Sequence, residues 1–403
     1  MLDERVGEVL SVKFRLKLFD EPYVLNPKAT EIVHNQEAVS LALDAAHQTV
    51  VLLKNQNNLL PLKDLAGKKV AIIGPNAKEK KSLLSRYGPV HTDAVTIFDG
   101  LSQALTGAEI LYAEGCKHTD PKFPESYIRD FPLTTAEEQL LNEAIGVAAQ
   151  ADIIILSVGD NARTVGESAS RLSLKLPGRQ EFLIDKMMDL NKPVVLINTS
   201  GRPMSFVSAA ERVPAIIQNF YAGEFNGTAV ADVVTGKYNP SGRMPVAVLK
   251  TVGQTPLSFP MYPADAKSGN AAVTGFLYPF GHGLSYTQFA YSNLQIDTTG
   301  FAKTNHLKLS LKVKNTGKVK GREVVQVYVK DNFSSFITNA KELCGYTPVL
   351  LEPGEEKTVE LKVSRQSLSL LNEKLEWIME PGTFTFFAGS SSEDIKLKRT
   401  VVF

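Results

Sequence analysis

With 403 residues, 43% hydrophobic and 22% charged, the chain has the balance of a globular protein and the length for two or three domains. A formal net charge of +1 gives no global field favouring nucleic acid or an acidic surface. No apolar stretch approaches a membrane span, and no charged-then-apolar leader opens the sequence, so a soluble chain with no export address is expected.

The first element is "LDERVGEVLSVKFRLKLF" (2–19). Val6, Val9, Leu10 and Phe14 recur at helical spacing between charged residues, the pattern of an amphipathic helix. One helix cannot bury its own apolar face, so it needs a partner surface. "DEPYVLNPKAT" carries two prolines and reads as an extended linker.

From about 31 to 252, helix and strand alternate. "EIVHNQEAVSLALDAAHQTVVLLKN" reads as one helix. The apolar runs "KKVAIIGPNA", "ADIIILSVG", "KPVVLINTS" and "VPAIIQNFYAG" read as buried strands. "AEEQLLNEAIGVAAQ", "GRQEFLIDKMMDL" and "EFNGTAVADVVTG" read as helices, the last ending at Gly236. This order predicts an α/β sandwich domain, its mostly parallel sheet covered by helices on both faces. Residues 253–288 are rich in Pro, Gly and aromatics, without a regular period, and read as an ordered connector. From 289 to 403 the pattern alternates apolar and polar. "LKLSLKVKNTGKVKGREVVQVYVKD" reads as two strands meeting at a turn, and "VLLEPGEEKTVELKV" and "PGTFTFFAGSS" repeat the strand–turn pattern. Several short strands of this kind predict an all-β sandwich of immunoglobulin or fibronectin type.

Little in the sequence suggests a cofactor. Cys116 and Cys344 lie far apart, and the six histidines show no ligand pairing, so neither a disulfide framework nor a metal site is expected. "KVAIIGPNA" lacks both G-x-G-x-x-G and the phosphate-binding G-x-x-x-x-G-K-[ST]. Ser200-Gly201 lacks the G-x-S-x-G of a nucleophile elbow.

The suggestive stretch is "ARTVGESASRLSLKLPGRQ" (162–180). Glu167 follows a strand among small residues, and parallel sheets place ligands beyond the carboxyl ends of their strands. A carboxylic acid there can give a proton to a leaving group. It can equally be a solvated loop glutamate, and spacing alone favours that plainer reading.

Seven motifs in order resemble the C-terminal part of glycoside hydrolase family 3, the β-glucosidase and β-xylosidase family. They are "QTVVLLKNQNNLLPL", "VAIIGPNA", "GESASRLSLKLPGRQEFLI", "KPVVLINTSGRP", "YNPSGRMPV", "LYPFGHGLSYTQFAYSNL" and "VKNTGKVKGREVVQVYV". Residues 1–30 resemble the last helix of the family's catalytic barrel and its exit linker. Residues 289–403 resemble its fibronectin type III-like domain. The "RTVGESASR" variant is similar to β-glucosidase-like members from Bacteroidetes-type bacteria.

The resemblance implies a retaining, exo-acting β-glycosidase acting on β-linked gluco- or xylo-oligosaccharides. Such chemistry needs two carboxyl groups, ~5–5.5 Å apart. The family takes its nucleophile aspartate from the barrel and its acid/base glutamate from the loop matching "GESASR". Glu167 therefore takes the acid/base role, while Arg171 either touches sugar or forms a structural salt bridge. No aspartate here matches the nucleophile motif. The chain is then expected to be inactive alone and to work with a barrel half in cis or in trans, or in a homo-oligomer. The other possibility is a non-catalytic carbohydrate-binding or interaction module that keeps the scaffold. Full-length relatives are expected to be bacterial and periplasmic or secreted, with no nucleic-acid or membrane partner.

Overall fold

The computed structural model of the chain describes residues 1–23, 31–84, 86–88, 93–255, 257–266 and 273–403. Two units separate, residues 1–44 and residues 45–403. In the first, Leu2–Arg15 is a helix with Asp3 and Glu4 in its opening turn and Lys13 and Arg15 in its last. That order of charge complements the helix dipole. The helix buries none of its residues; Val6, Val9, Leu10 and Phe14 are all exposed. The linker expected after it falls mostly on residues 24–30, outside the described ones.

The second unit opens with a six-stranded sheet in the order β1-β6-β5-β4-β2-β3. Its strands are β1 (Val50–Asn55), β2 (Lys69–Ile73), β3 (Glu109–Ala113), β4 (Ile153–Gly159), β5 (Val194–Thr199) and β6 (Ala215–Asn219). All pairs are parallel except β1 with β6. Successive side chains along a strand point to opposite faces, and here both faces are buried. Val51, Ile73, Ile154, Leu156 and Leu196 pack under the helices Thr135–Gln150, Gln180–Met188 and Val207–Arg212. Leu52, Ile72, Ile155, Val195 and Ile217 pack under Ile97–Ala104 and Asn226–Thr235. The last of these helices ends at Gly236, left-handed at φ 78°.

The helix read across 31–55 ends at Thr49, and Val50–Asn55 is a strand. The run Val50-Val51-Leu52-Leu53 is apolar on both sides. That suits a strand covered on both faces better than a helix end, and its partner β6 lies far along the chain.

The remaining strands form a sandwich. One sheet is β10 (Glu342–Leu351), β9 (Gly321–Asp331), β14 (Thr383–Gly389) and β15 (Ile395–Val402); the other is β11 (Glu356–Ser364), β8 (His306–Asn315) and β7 (Phe289–Asp297). A small ribbon of β12 (Leu370–Leu371) and β13 (Trp377–Ile378) stands apart from them. Leu309, Leu311, Val327, Leu361, Phe384 and Phe386 fill the space between the sheets. The turn at "NTGKVKG" does not join a hairpin. β8 and β9 lie in different sheets, and so do β10 and β11. The alternating pattern gave the strands correctly, but alternation alone does not say which strand pairs with which. The apolar faces of β8 and β9, and of β10 and β11, meet across the core instead of side by side in one sheet.

The connector ties the α/β domain to the sandwich, its Gly281 carbonyl accepting from Gln326 Nε2 of β9 at 3.1 Å. Leu284 bridges to Leu52 and Tyr278 to Val248, while the Arg243 guanidinium meets Glu323 of β9 at 2.8 Å with both side chains buried. Since the helix Leu2–Arg15 buries nothing, deleting residues 1–20 is expected to move the unfolding free energy of the remainder by less than ~0.5 kcal/mol, measured by denaturant titration. Loss of the α/β transition in that variant would show that the helix belongs to the core.

Candidate active site

The site is built from the end of β4. Gly159 ends that strand at φ +135°, and a Cβ there would lie 1.9 Å from the Thr199 carbonyl oxygen. Only glycine allows β4 and β5 to approach so closely at their carboxyl ends. Gln180, fully buried at the start of its helix, then takes over the pairing. Its Oε1 accepts from the Gly159 N–H at 2.6 Å, and its Nε2 donates to the Gly159 carbonyl at 2.9 Å. The same Nε2 reaches the His118 carbonyl at 3.2 Å.

The next residue, Asp160, is fully buried. Its Oδ1 meets Arg171 Nη1 at 2.5 Å and accepts from Thr164 Oγ1 at 2.9 Å. Its Oδ2 meets Arg202 Nε at 3.3 Å and accepts from Ser200 Oγ at 3.0 Å. Even its backbone is held, with N–H donating to the Thr199 carbonyl and C=O accepting from Asn76 Nδ2. A buried carboxylate is tolerated when charged partners and hydrogen bonds replace its water, and Asp160 has both. The partners also fasten the loop. Arg202 Nη2 donates to the Thr164 carbonyl at 3.0 Å, and Arg171 Nη2 to the Lys175 carbonyl at 2.6 Å.

Glu167 rides on this loop and is exposed. It is flanked by Gly166 at φ +94° and Ser168 at φ +59°. Its carboxylate forms no ion pair or side-chain hydrogen bond among the described residues; only its backbone is held, by Arg86 and Tyr87. Arg171, the other residue singled out from sequence, has its guanidinium turned to Asp160, its side chain 7% exposed, and lies 5.2 Å from the Tyr127 ring centre. The structure thus brings Glu167 and Arg171 to one loop with different surroundings, one facing water and one bound to a buried charge.

Sequence reasoning missed Asp160, Gln180 and Arg202. The available signal was an aspartate closing a seven-residue buried strand, a position where a lone charge demands a partner. Nearby, His118 has its pKa lowered to about 4, by burial first and then by Lys117 and Arg163. Among the described residues there is no His, Cys, Asp and Glu grouping that could hold a metal, and no helix is long and apolar enough to cross a membrane.

Residues 50–286 match the model of the glycosyl hydrolase family 3 C-terminal domain, and residues 323–392 match that of a fibronectin type III-like domain. The chain belongs to glycoside hydrolase family 3. It is 36% identical to a β-xylosidase of Formosa agariphila and 33% identical to a periplasmic β-glucosidase of Salmonella typhimurium, covering 98% of this chain and 54% of each relative. Among solved structures, a β-glucosidase from Erythrobacter marinus superposes with a TM-score of 0.87 at 32% identity, over 98% of this chain and 54% of that one. A mutant β-glucosidase from Listeria innocua, solved with laminaribiose, gives 0.83 at 29% identity, over 100% of this chain and 54% of that one. The chain thus spans about half the length of these family 3 relatives and corresponds to their C-terminal part.

Asp160→Ala leaves Arg171 and Arg202 without their shared counter-charge, and removing one partner of a buried pair costs about 3–5 kcal/mol; urea titration is expected to show a loss of that size, and a change under ~1 kcal/mol would discount the network. For His118, the folded state resists protonation that the unfolded chain accepts. The unfolded state therefore binds more protons between about pH 6.5 and about 4, and stability falls as the pH drops through that window. His118→Gln is expected to flatten that part of the stability–pH curve.

Proposed function

We propose that this chain supplies the general acid/base carboxylate, Glu167, of a retaining β-glycosidase whose nucleophile lies in a barrel outside these residues. The observation that carries the reading is the contrast between two carboxylates on one loop. Asp160 holds both arginines, and the Glu167 carboxylate stands exposed without one among the described residues. A carboxylate paired with a guanidinium is held ionised and is a poor proton donor. An acid/base group must give up its proton and take it back in each cycle, which needs a side chain without such a partner.

The chemistry proceeds in two displacements. In the first, a carboxylate of the barrel attacks the anomeric carbon while the Glu167 carboxyl protonates the departing glycosidic oxygen. The sugar becomes an ester of the nucleophile and Glu167 an anion. In the second, Glu167 removes a proton from water as the water oxygen attacks the same carbon, the ester breaks, and both carboxyl groups return to their starting states. The substrate class is a β-linked gluco- or xylo-oligosaccharide. The names of the relatives support this, a β-xylosidase and a periplasmic β-glucosidase, as does a neighbour solved with glucose. The periplasmic relative also supports an assignment outside the cytoplasm for the full-length protein.

The test is complementation. The chain alone is expected to hydrolyse phenyl β-glucoside or β-xyloside no faster than background. Joined to the N-terminal half of a family member, it is expected to turn over. Glu167→Gln in that assembly should cost ~10²–10⁴-fold on the phenyl substrate, the range of general acid catalysis. Turnover by the chain alone would place a second reacting carboxylate inside it. An assembly that binds sugar without turnover would instead support a non-catalytic module.

A further inference from the structure

Among the described residues the Glu167 side chain makes no hydrogen bond or ion pair that fixes its direction, so its placement must come from the backbone. Both polar groups of its main chain are taken by one neighbouring segment. The Glu167 N–H donates to Tyr87 Oη at 2.6 Å, and Arg86 Nη1 donates to the Glu167 carbonyl at 2.7 Å. The same guanidinium nitrogen lies 3.4 Å from the Val165 carbonyl. Fixing the peptide planes on both sides of a residue fixes the direction of its Cα–Cβ bond. Gly166 makes the approach possible, since a Cβ there would stand 2.7 Å from Arg86 Cδ and 3.0 Å from Tyr87 Oη. Flanked by left-handed Gly166 and Ser168, this stretch lies outside regular secondary structure and needs external partners to keep one conformation.

We propose that Arg86 and Tyr87 are positioning residues that clamp the backbone of Glu167 and set where its carboxyl group reaches. The proposal rests on the reading of Glu167 as the proton donor. Neither residue would touch the reacting atoms. Their effect would come through geometry, because a proton donor works only within about 2.6–3.2 Å of the oxygen it serves, and a misplacement of ~1 Å can cost ~10²-fold. Both residues are exposed, so truncating them removes no core packing. Deeper in the fold, Asp160 fixes the root of the same loop, whereas this pair acts at the residue that carries the acid.

The experiment compares leaving groups in the complemented assembly. Phenoxide departs poorly and needs the proton; 2,4-dinitrophenoxide departs without one. Tyr87→Phe and Arg86→Ala are each expected to lower kcat/KM for the phenyl glycoside by ~10–100-fold while changing it for the dinitrophenyl glycoside by less than ~threefold. Glu167→Gln is the reference and should show the same contrast in stronger form. If it shows the contrast and the two clamp variants do not, the clamp is wrong while the acid assignment stands. If the clamp variants slow both substrates equally, they act on the fold at large and the positioning role is overturned. If Glu167→Gln shows no contrast, the acid assignment fails and the clamp with it. A second measurement needs no barrel. In the chain alone, amide hydrogen exchange at Glu167 is expected to speed up at least ~tenfold in Tyr87→Phe, because the amide loses its acceptor. Unchanged exchange overturns the clamp.

Discussion

The arrangement of this site depends on one buried charge. Asp160 sits at the carboxyl end of a central strand with no exposed surface, where an unpaired carboxylate would be very costly. Its four side-chain partners come from two places: Thr164 and Arg171 from the loop, and Ser200 and Arg202 from the end of the adjacent strand. The loop cannot leave without stranding the carboxylate. The desolvated charge is therefore less a source of net stability than a specification of geometry, for it allows one loop path and penalises the others.

That geometry also separates two tasks that carboxylates perform badly together. A buried, doubly paired aspartate holds structure, and the exposed glutamate seven residues later is the one proposed above as the acid/base group. Had Arg171 turned outward to Glu167, the loop would have lost its anchor, and the candidate acid would have gained a partner that favours its anion. Gln180 serves the same end without charge, extending the pairing of Gly159 by a side-chain amide where the backbone ladder stops.

Much of this was legible in the sequence because it is local. Apolar runs such as Ile153–Gly159 and Val194–Thr199 are strands whatever surrounds them, and Gly236 caps its helix through its own left-handed backbone. Legibility stopped where the deciding contact is distant. Val50–Asn55 continued a helical pattern and became a strand because an edge of β6 was free to pair with it. β8 and β9 read as two strands meeting at a turn, and they joined different sheets because the sandwich core needed an apolar face from each. Glu167 itself was ambiguous from spacing, and only the resemblance gave it a role. Arg202, Arg86 and Tyr87 carried no pattern of their own, since each acquires its meaning from a residue far away along the chain, and Asp160 offered only its place at the end of a buried strand.

The same logic reaches the second domain. Arg243, from the segment that follows the sheet, meets Glu323 on β9 with both side chains buried, and Gln326 on the same strand donates to the Gly281 and Ser390 carbonyls. These are directional polar contacts in a desolvated seam. Apolar packing alone would let the β-sandwich slide on the α/β layer, because hydrophobic contact is non-directional. A buried ion pair and an amide reading two carbonyls admit one register. The sandwich is thereby held in a defined place against the segment that leaves the sheet, whose central strand β4 leads into Asp160. Orientation is carried through the second unit by a few buried polar groups, while the apolar cores supply the cohesion that keeps those groups dry.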